Sequence, residues 1–98
     1  MRRGHETPIH PGEVLAEVYM NAVQPRLTVS ELADSIDVSP QELTEFIGGK
    51  RPVTLTLAAR FAMRFRTSKE YWVGLQDLYE KEAHEFRFLR VSRQRRGS

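Results

Sequence analysis

Apolar residues recur along this chain at helical spacing, in five blocks separated by turn-forming residues. Val14, Leu15, Val18 and Tyr19 make the first inward face. Leu32, Ala33 and Ile36 make the second, and Leu43, Phe46 and Ile47 the third. Leu57, Ala58, Phe61, Ala62 and Phe65 follow, with Arg60 and Arg64 on the opposite side. Tyr71, Trp72, Leu75, Leu78 and Tyr79 complete the series. The polar residues between the blocks are those that start and stop helices. Pro11 fits a first helical position, where its missing N–H costs nothing, and the first helix is expected to run to about Val23. Thr28 with Glu31, Ser39 with Glu42 and Thr67 with Glu70 each have the spacing of a capping box. Thr54 or Thr56 caps the fourth helix, which runs to about Phe65, and the fifth extends to about His84. The pattern predicts an all-α bundle of five short helices.

The second and third blocks carry the most information. Two capped helices are joined by a tight turn in which Val38 can plug the gap. Ala33 is small where two steeply crossing helices would meet. Gly48 and Gly49 supply a helix stop, and the basic pair Lys50-Arg51 follows. Together these features describe a helix-turn-helix unit over residues 28–47. A plain αα-corner without DNA function has some of the same signals. The two correctly spaced caps, the small Ala33 and the glycine stop favour the DNA-reading motif.

With 98 residues there is room for one domain and one core, not for a deep catalytic cleft. The expected division is a flexible arm over residues 1–9, the helix-turn-helix domain over 10–85 and an irregular basic tail over 86–98. Residues 86–91 are open to two readings, a fraying continuation of the fifth helix or a short strand, and the first is preferred. The chain has no cysteine, so disulfides and thiol chemistry are excluded. It shows no signal peptide and no long apolar run, which points to a cytoplasmic protein without a membrane partner. His5 and His10 briefly suggest a zinc-protease helix, but they are five apart rather than four and Pro8 breaks any helix between them. No metal, cofactor or small-molecule ligand is expected, and the spread surface acids do not suggest an enzyme.

Charge complicates the picture. The net charge is +2, yet residues 86–98 hold Arg87, Arg90, Arg93, Arg95 and Arg96 and no acid. Residues 1–85 are therefore net −3, and a basic end on a mildly acidic body hints at an electrostatic partner.

In order, His10-Pro11-Gly12-Glu13-Val14-Leu15, the helix-turn-helix of residues 27–50, Val53-Thr54 before Ala58-Ala59-Arg60-Phe61-Ala62, and the run from Thr67 through Glu70-Tyr71-Trp72 to Leu75-Gln76 and Tyr79 resemble the HigA-type (VapI-like) antitoxins. These are a branch of the Xre, lambda-repressor-like helix-turn-helix proteins. The resemblance implies a five-helix lambda-repressor-like bundle and a role in a bacterial type II toxin–antitoxin system. Such a protein binds and blocks a HigB-like toxin that cuts mRNA. As a homodimer it also represses its own operon through double-stranded operator DNA.

By position in the motif, Gln41, Glu42, Thr44 and Glu45 face the bases, with Ser39, Lys50 and Arg51 near phosphates. Gln41 suits adenine and Thr44 a thymine methyl, whereas glutamates near phosphates are repelled. Tyr71, Trp72, Tyr79 and Phe86 are candidates for partner or dimer contact, against the simpler reading of the aromatic block as core. The chain departs from the family pattern at Val29, where glutamine or another polar group is usual. It also departs at Asp34, Asp37 (commonly glycine) and Glu42. Residues 28–53 hold Glu31, Asp34, Asp37, Glu42 and Glu45 against Lys50 and Arg51, a net of −3. Positive charge for DNA would have to come from Arg2 and Arg3 in the arm or from the arginine tail. Two alternatives stand beside the repressing antitoxin: a stand-alone transcriptional repressor, and a toxin-binding module with weakened DNA binding.

Overall fold

The computed structural model describes residues 8–97, with side chains described through residue 85. Arg2 and Arg3 of the expected arm, His5, Phe86 and the tail arginine side chains lie outside the described part. Helices occur in the expected order and no strand is found among the described residues.

Helix α1 begins as a helical turn, Pro11–Val14, and runs directly into a π-helical stretch, Leu15–Met20. It stops short of the expected Val23. Its N-cap is His10, whose Nδ1 accepts the Gly12 N–H at 2.9 Å. Helix α2 spans Val29–Ile36 and its capping box is complete. The Thr28 hydroxyl accepts the Glu31 N–H at 3.1 Å and the Glu31 carboxylate accepts the Thr28 N–H at 3.0 Å. Helix α3 spans Pro40–Ile47, with Ser39 accepting the Glu42 N–H at 3.0 Å. The return half of that box is not made, because Glu42 turns instead towards Arg51, 3.9 Å away. Helix α4, Leu55–Phe65, is capped by Thr54, which accepts the Leu57 N–H at 3.1 Å. Each such cap contributes about 1 kcal/mol by satisfying an orphan amide.

Helix α5 departs from expectation at both ends. It spans Lys69–Gly97, and its cap is Ser68, which accepts the Tyr71 N–H at 3.1 Å. Thr67 is not the cap because its hydroxyl accepts the Trp72 indole N–H at 2.8 Å. At the other end the helix neither stops near His84 nor gives way to an irregular tail. No proline or glycine interrupts residues 75–96, and good helix formers fill them. The alternative strand over residues 86–91 is not formed either.

Three helices end on a left-handed residue just past the last turn, at Asp37 (φ 59°), Gly49 (φ 79°) and Arg66 (φ 59°). After α2 the Val38 N–H reaches back to the Ala33 carbonyl at 3.1 Å, and after α3 the Lys50 N–H reaches the Glu45 carbonyl at 2.8 Å. This is the geometry that closes a helix and turns the chain away from its axis. It sets the corner between α2 and α3 and places Val38 against the core.

Leu15, Met20, Leu32, Ala33, Ile36, Leu43, Phe46, Leu57, Ala58, Phe61 and Trp72 are buried together. Complete burial of a side chain such as Phe46 or Leu15 stabilises the fold by about 1.5–3 kcal/mol. Trp72, offered above as a partner contact, has no exposed surface and belongs to this core. Its ring lies 4.8 Å from Phe61 and 5.3 Å from Tyr19. Val18, expected to point inward, is half exposed. For Val18 the cause is the wider π-helical turn, which advances each side chain by a smaller angle than the regular α-period assumes. Arg60 is less outward than its spacing suggested: it donates to the Ile36 carbonyl at 2.6 Å, tying α4 to the end of α2.

Three motif residues explain how α1 and α5 hold the unit. A Cβ on Gly12 would lie 2.0 Å from the Phe46 carbonyl oxygen and 2.8 Å from the Ile47 Cα, so only glycine allows α1 to approach the end of α3. His10 is buried beside it, its ring 5.5 Å from Phe46 and 4.9 Å from Tyr79. On α5, the buried Gln76 accepts the Val53 N–H at 2.9 Å and donates to Glu80 at 2.9 Å, pinning the loop that follows α3.

Gly12→Ala is expected to destabilise the chain by about 3 kcal/mol and lower Tm by more than about 10 °C. Gly74→Ala, where nothing lies within 4 Å of the added carbon, should leave Tm unchanged or raise it. Thermal unfolding followed by circular dichroism compares the two.

Burial holds the His10 pKa below its ordinary 6.5, opposed by a backbone hydrogen bond to Arg51 and by the Glu13 charge. The unfolded chain therefore takes up this proton first as pH falls. Stability is full at neutral pH and should decline below the usual histidine value, towards the lower folded-state pKa. His10→Asn keeps an N-cap acceptor, so denaturant titrations from pH 7.5 to 5.5 should show that decline in the parent and a flatter profile in the variant.

Candidate nucleic-acid interface

Helix α3 buries Leu43 and Phe46 and leaves the opposite side open. Gln41, Thr44 and Lys50 are exposed on that side, and Glu42, Glu45 and Arg51 are half-buried. Ser39 stands at the N-terminal end with its hydroxyl used as the cap. The residues expected to face nucleic acid are thus gathered on one solvent-facing surface, from the start of α3 to the loop after it.

Their electrostatics are organised by Arg51. Its Nε donates to Glu45 Oε1 at 3.1 Å and its Nη2 contacts the same oxygen. Glu45 Oε2 accepts from the Gln41 side-chain amide at 3.2 Å. The Arg51 and Gln41 hydrogen bonds hold the Glu45 carboxyl below its usual range, and Glu45 in turn raises Arg51 further above its own. Both groups are ionised at neutral pH. The sequence count of acids in this unit therefore overstates the negative field at the surface. A two-pronged arginine contact cancels one of the glutamates where it stands and partly offsets Glu42.

The signal for this network was present in the sequence, since Gln41 and Glu45 are one helical turn apart. What spacing did not give was the fold-back of the loop. The left-handed Gly49 reverses the chain after α3 and brings Arg51 alongside the turn that holds Glu45.

The remaining candidates divide. Trp72 is core. Tyr79 is half-buried with its ring on His10. Tyr71 is 39% exposed, and its hydroxyl pairs with that of Tyr19. That hydrogen bond, with some burial, pushes the Tyr71 pKa up to about 12. Phe86 lies outside the described side chains. No group of three histidine or acidic side chains suited to a metal occurs among the described residues, and no helix among them is long and apolar enough to cross a membrane.

Comparison with known proteins agrees with this architecture. Virulence-associated protein I of Dichelobacter nodosus is 31% identical over 77 residues, spanning 79% of this chain and 69% of that protein. The solved structure of an addiction-module antidote protein of the HigA family from Coxiella burnetii matches with a TM-score of 0.72 at 34% identity, covering 78% of this chain and 80% of that one. Pseudomonas aeruginosa antitoxin HigA, solved with the higBA promoter, matches at 0.70 and 29% identity, covering 74% and 77%. No protein-family model matches the chain.

The capped α2–α3 pair inside a five-helix bundle defines a helix-turn-helix protein of the Xre, lambda-repressor-like class. Within that class the chain belongs to the HigA-type, VapI-like antitoxins. It is not an enzyme, and its family is one of antitoxins and transcriptional regulators.

Proposed function

We propose that this chain is the antitoxin of a type II toxin–antitoxin pair. It binds and neutralises a HigB-like mRNA-cleaving toxin, and as a homodimer it represses its own operon in the bacterial cytoplasm. The observation that carries the DNA half is the outer face of α3. Gln41 and Thr44 are exposed at the helix start, Lys50 follows at its end, and the acids between are partly cancelled by Arg51. The match to an antitoxin solved with its promoter supports the same reading. Ser39, Lys50 and Arg51 take phosphates, and Gln41, Glu42, Thr44 and Glu45 face bases. Arg2, Arg3 and the tail arginines add phosphate contacts. The toxin half rests on family membership, and Tyr71, Tyr79 and Phe86 are the residues proposed for toxin or dimer contact.

The uncompensated part of the acidic charge favours a second reading, in which the fold serves toxin binding and operator affinity is weak. A mobility-shift titration on the DNA upstream of the chain's own gene, with salt varied, separates the two. Specific repression predicts a retained complex whose affinity falls steeply with salt, with a log–log slope of about −0.9 per phosphate engaged. No retention at low salt overturns the repressor reading. Co-expression with the neighbouring gene tests the other half. A small basic protein should co-purify in a stable complex, and its absence contradicts the antitoxin reading.

A further inference from the structure

The hydrogen bonds on the outer face of α3 run in series. Arg51 grips one oxygen of Glu45 through Nε and Nη2, and the other oxygen accepts from Gln41 Nε2 at 3.2 Å. A carboxylate only accepts, so Gln41 must turn its NH2 and not its carbonyl towards Glu45. That choice fixes which way round the amide stands. One Nε2 proton is committed to Glu45, which leaves the other proton and the Oε1 lone pairs for a base edge. A donor and an acceptor side by side on one amide are what the N7 and N6 positions of adenine require in the major groove.

We propose that Arg51, Glu45 and Gln41 form one reading unit. Gln41 contacts an A·T base pair, and Glu45 and Arg51 are positioning residues that set its amide. The inference rests on operator binding through α3 as proposed above. It also gives an acid a use on a surface that approaches phosphates. Glu45 costs less there than an isolated carboxylate because Arg51 neutralises it, and it lowers the entropy that Gln41 would otherwise lose on meeting a base. Each side chain is at least partly solvent-accessible and none belongs to the core, so substitution leaves the packing of α3 intact.

The test is fluorescence anisotropy with the chain's own upstream duplex, a set of duplexes carrying single base-pair changes, and an unrelated duplex, all at one salt concentration. The parent should discriminate against replacing one A·T pair per half-site by about 10-fold or more. Gln41→Ala should abolish that preference. Glu45→Ala should reduce it to less than about 3-fold while binding to the unrelated duplex becomes tighter, because an acid has been removed. The double variant should be no less discriminating than Gln41→Ala alone, as expected when one residue acts through the other. Arg51→Lys keeps the charge but loses the two-pronged grip, so it should lose the preference with little change on unrelated DNA.

If Glu45→Ala tightens binding to every duplex and leaves the preference intact, Glu45 acts by charge alone and the reading unit is overturned. The same conclusion follows if Gln41→Ala alters no position. A parent that binds the upstream and unrelated duplexes equally overturns operator reading itself. That result is distinct from failure of the relay, which requires a parent that discriminates.

Discussion

The structure depends on the close approach of α1 to the end of α3. Gly12 allows backbone to meet backbone there, and His10 fills the remaining space between Phe46 on α3 and Tyr79 on α5. A helix of eight residues such as α3 is too short to be stable in isolation. It persists because its inner face is buried and because α1 packs on its C-terminal end, with α5 backing His10 through Tyr79 and the following loop through Gln76. The outer face is thereby held without contributing side chains to that packing, which leaves those side chains available for another molecule.

Electrostatics on that outer face follow from the same arrangement. The chain reversal after α3 returns Arg51 to the helix it has just left, and Gln76 fixes the loop by accepting the Val53 N–H. Arg51 then meets Glu45 and lies near Glu42. A solvent-accessible surface ion pair of this kind adds little to stability. Its consequence lies in the potential and in the order it imposes on neighbouring side chains, both of which bear on recognition more than on folding.

Much of this was legible in the sequence because it is local. Caps, glycine stops and apolar spacing are short-range signals, and α2, α3 and α4 fall where those signals place them. What spacing could not supply depended on tertiary contact. The spacing of Thr67 and Glu70 pointed to Thr67 as the cap of α5, but the Trp72 indole claims the Thr67 hydroxyl and Ser68 takes the cap instead. Val18 points outward because α1 widens into a π-helix, which no apolar period encodes. Asp37 departs from the glycine that the family resemblance implies, and its left-handed φ of 59° shows why glycine would suit that position: it closes α2 and strains most side chains. His10 was visible as a helix start and as a false metal ligand, but its role as a buried wedge needed the partner helices. The candidate interface was legible as a set of residues, and the pairing of Arg51 with Glu45 was not.

The central claim is that α3 presents its outer face to DNA despite its acidic composition. Amide NMR of the labelled chain titrated with the duplex from upstream of its own gene measures this residue by residue. The account predicts the largest shifts at Gln41, Thr44 and Glu45 and at Lys50 and Arg51, with the core positions Leu43 and Phe46 changing less. Shifts confined to α1 or α5, with α3 unmoved at saturating duplex, would contradict it.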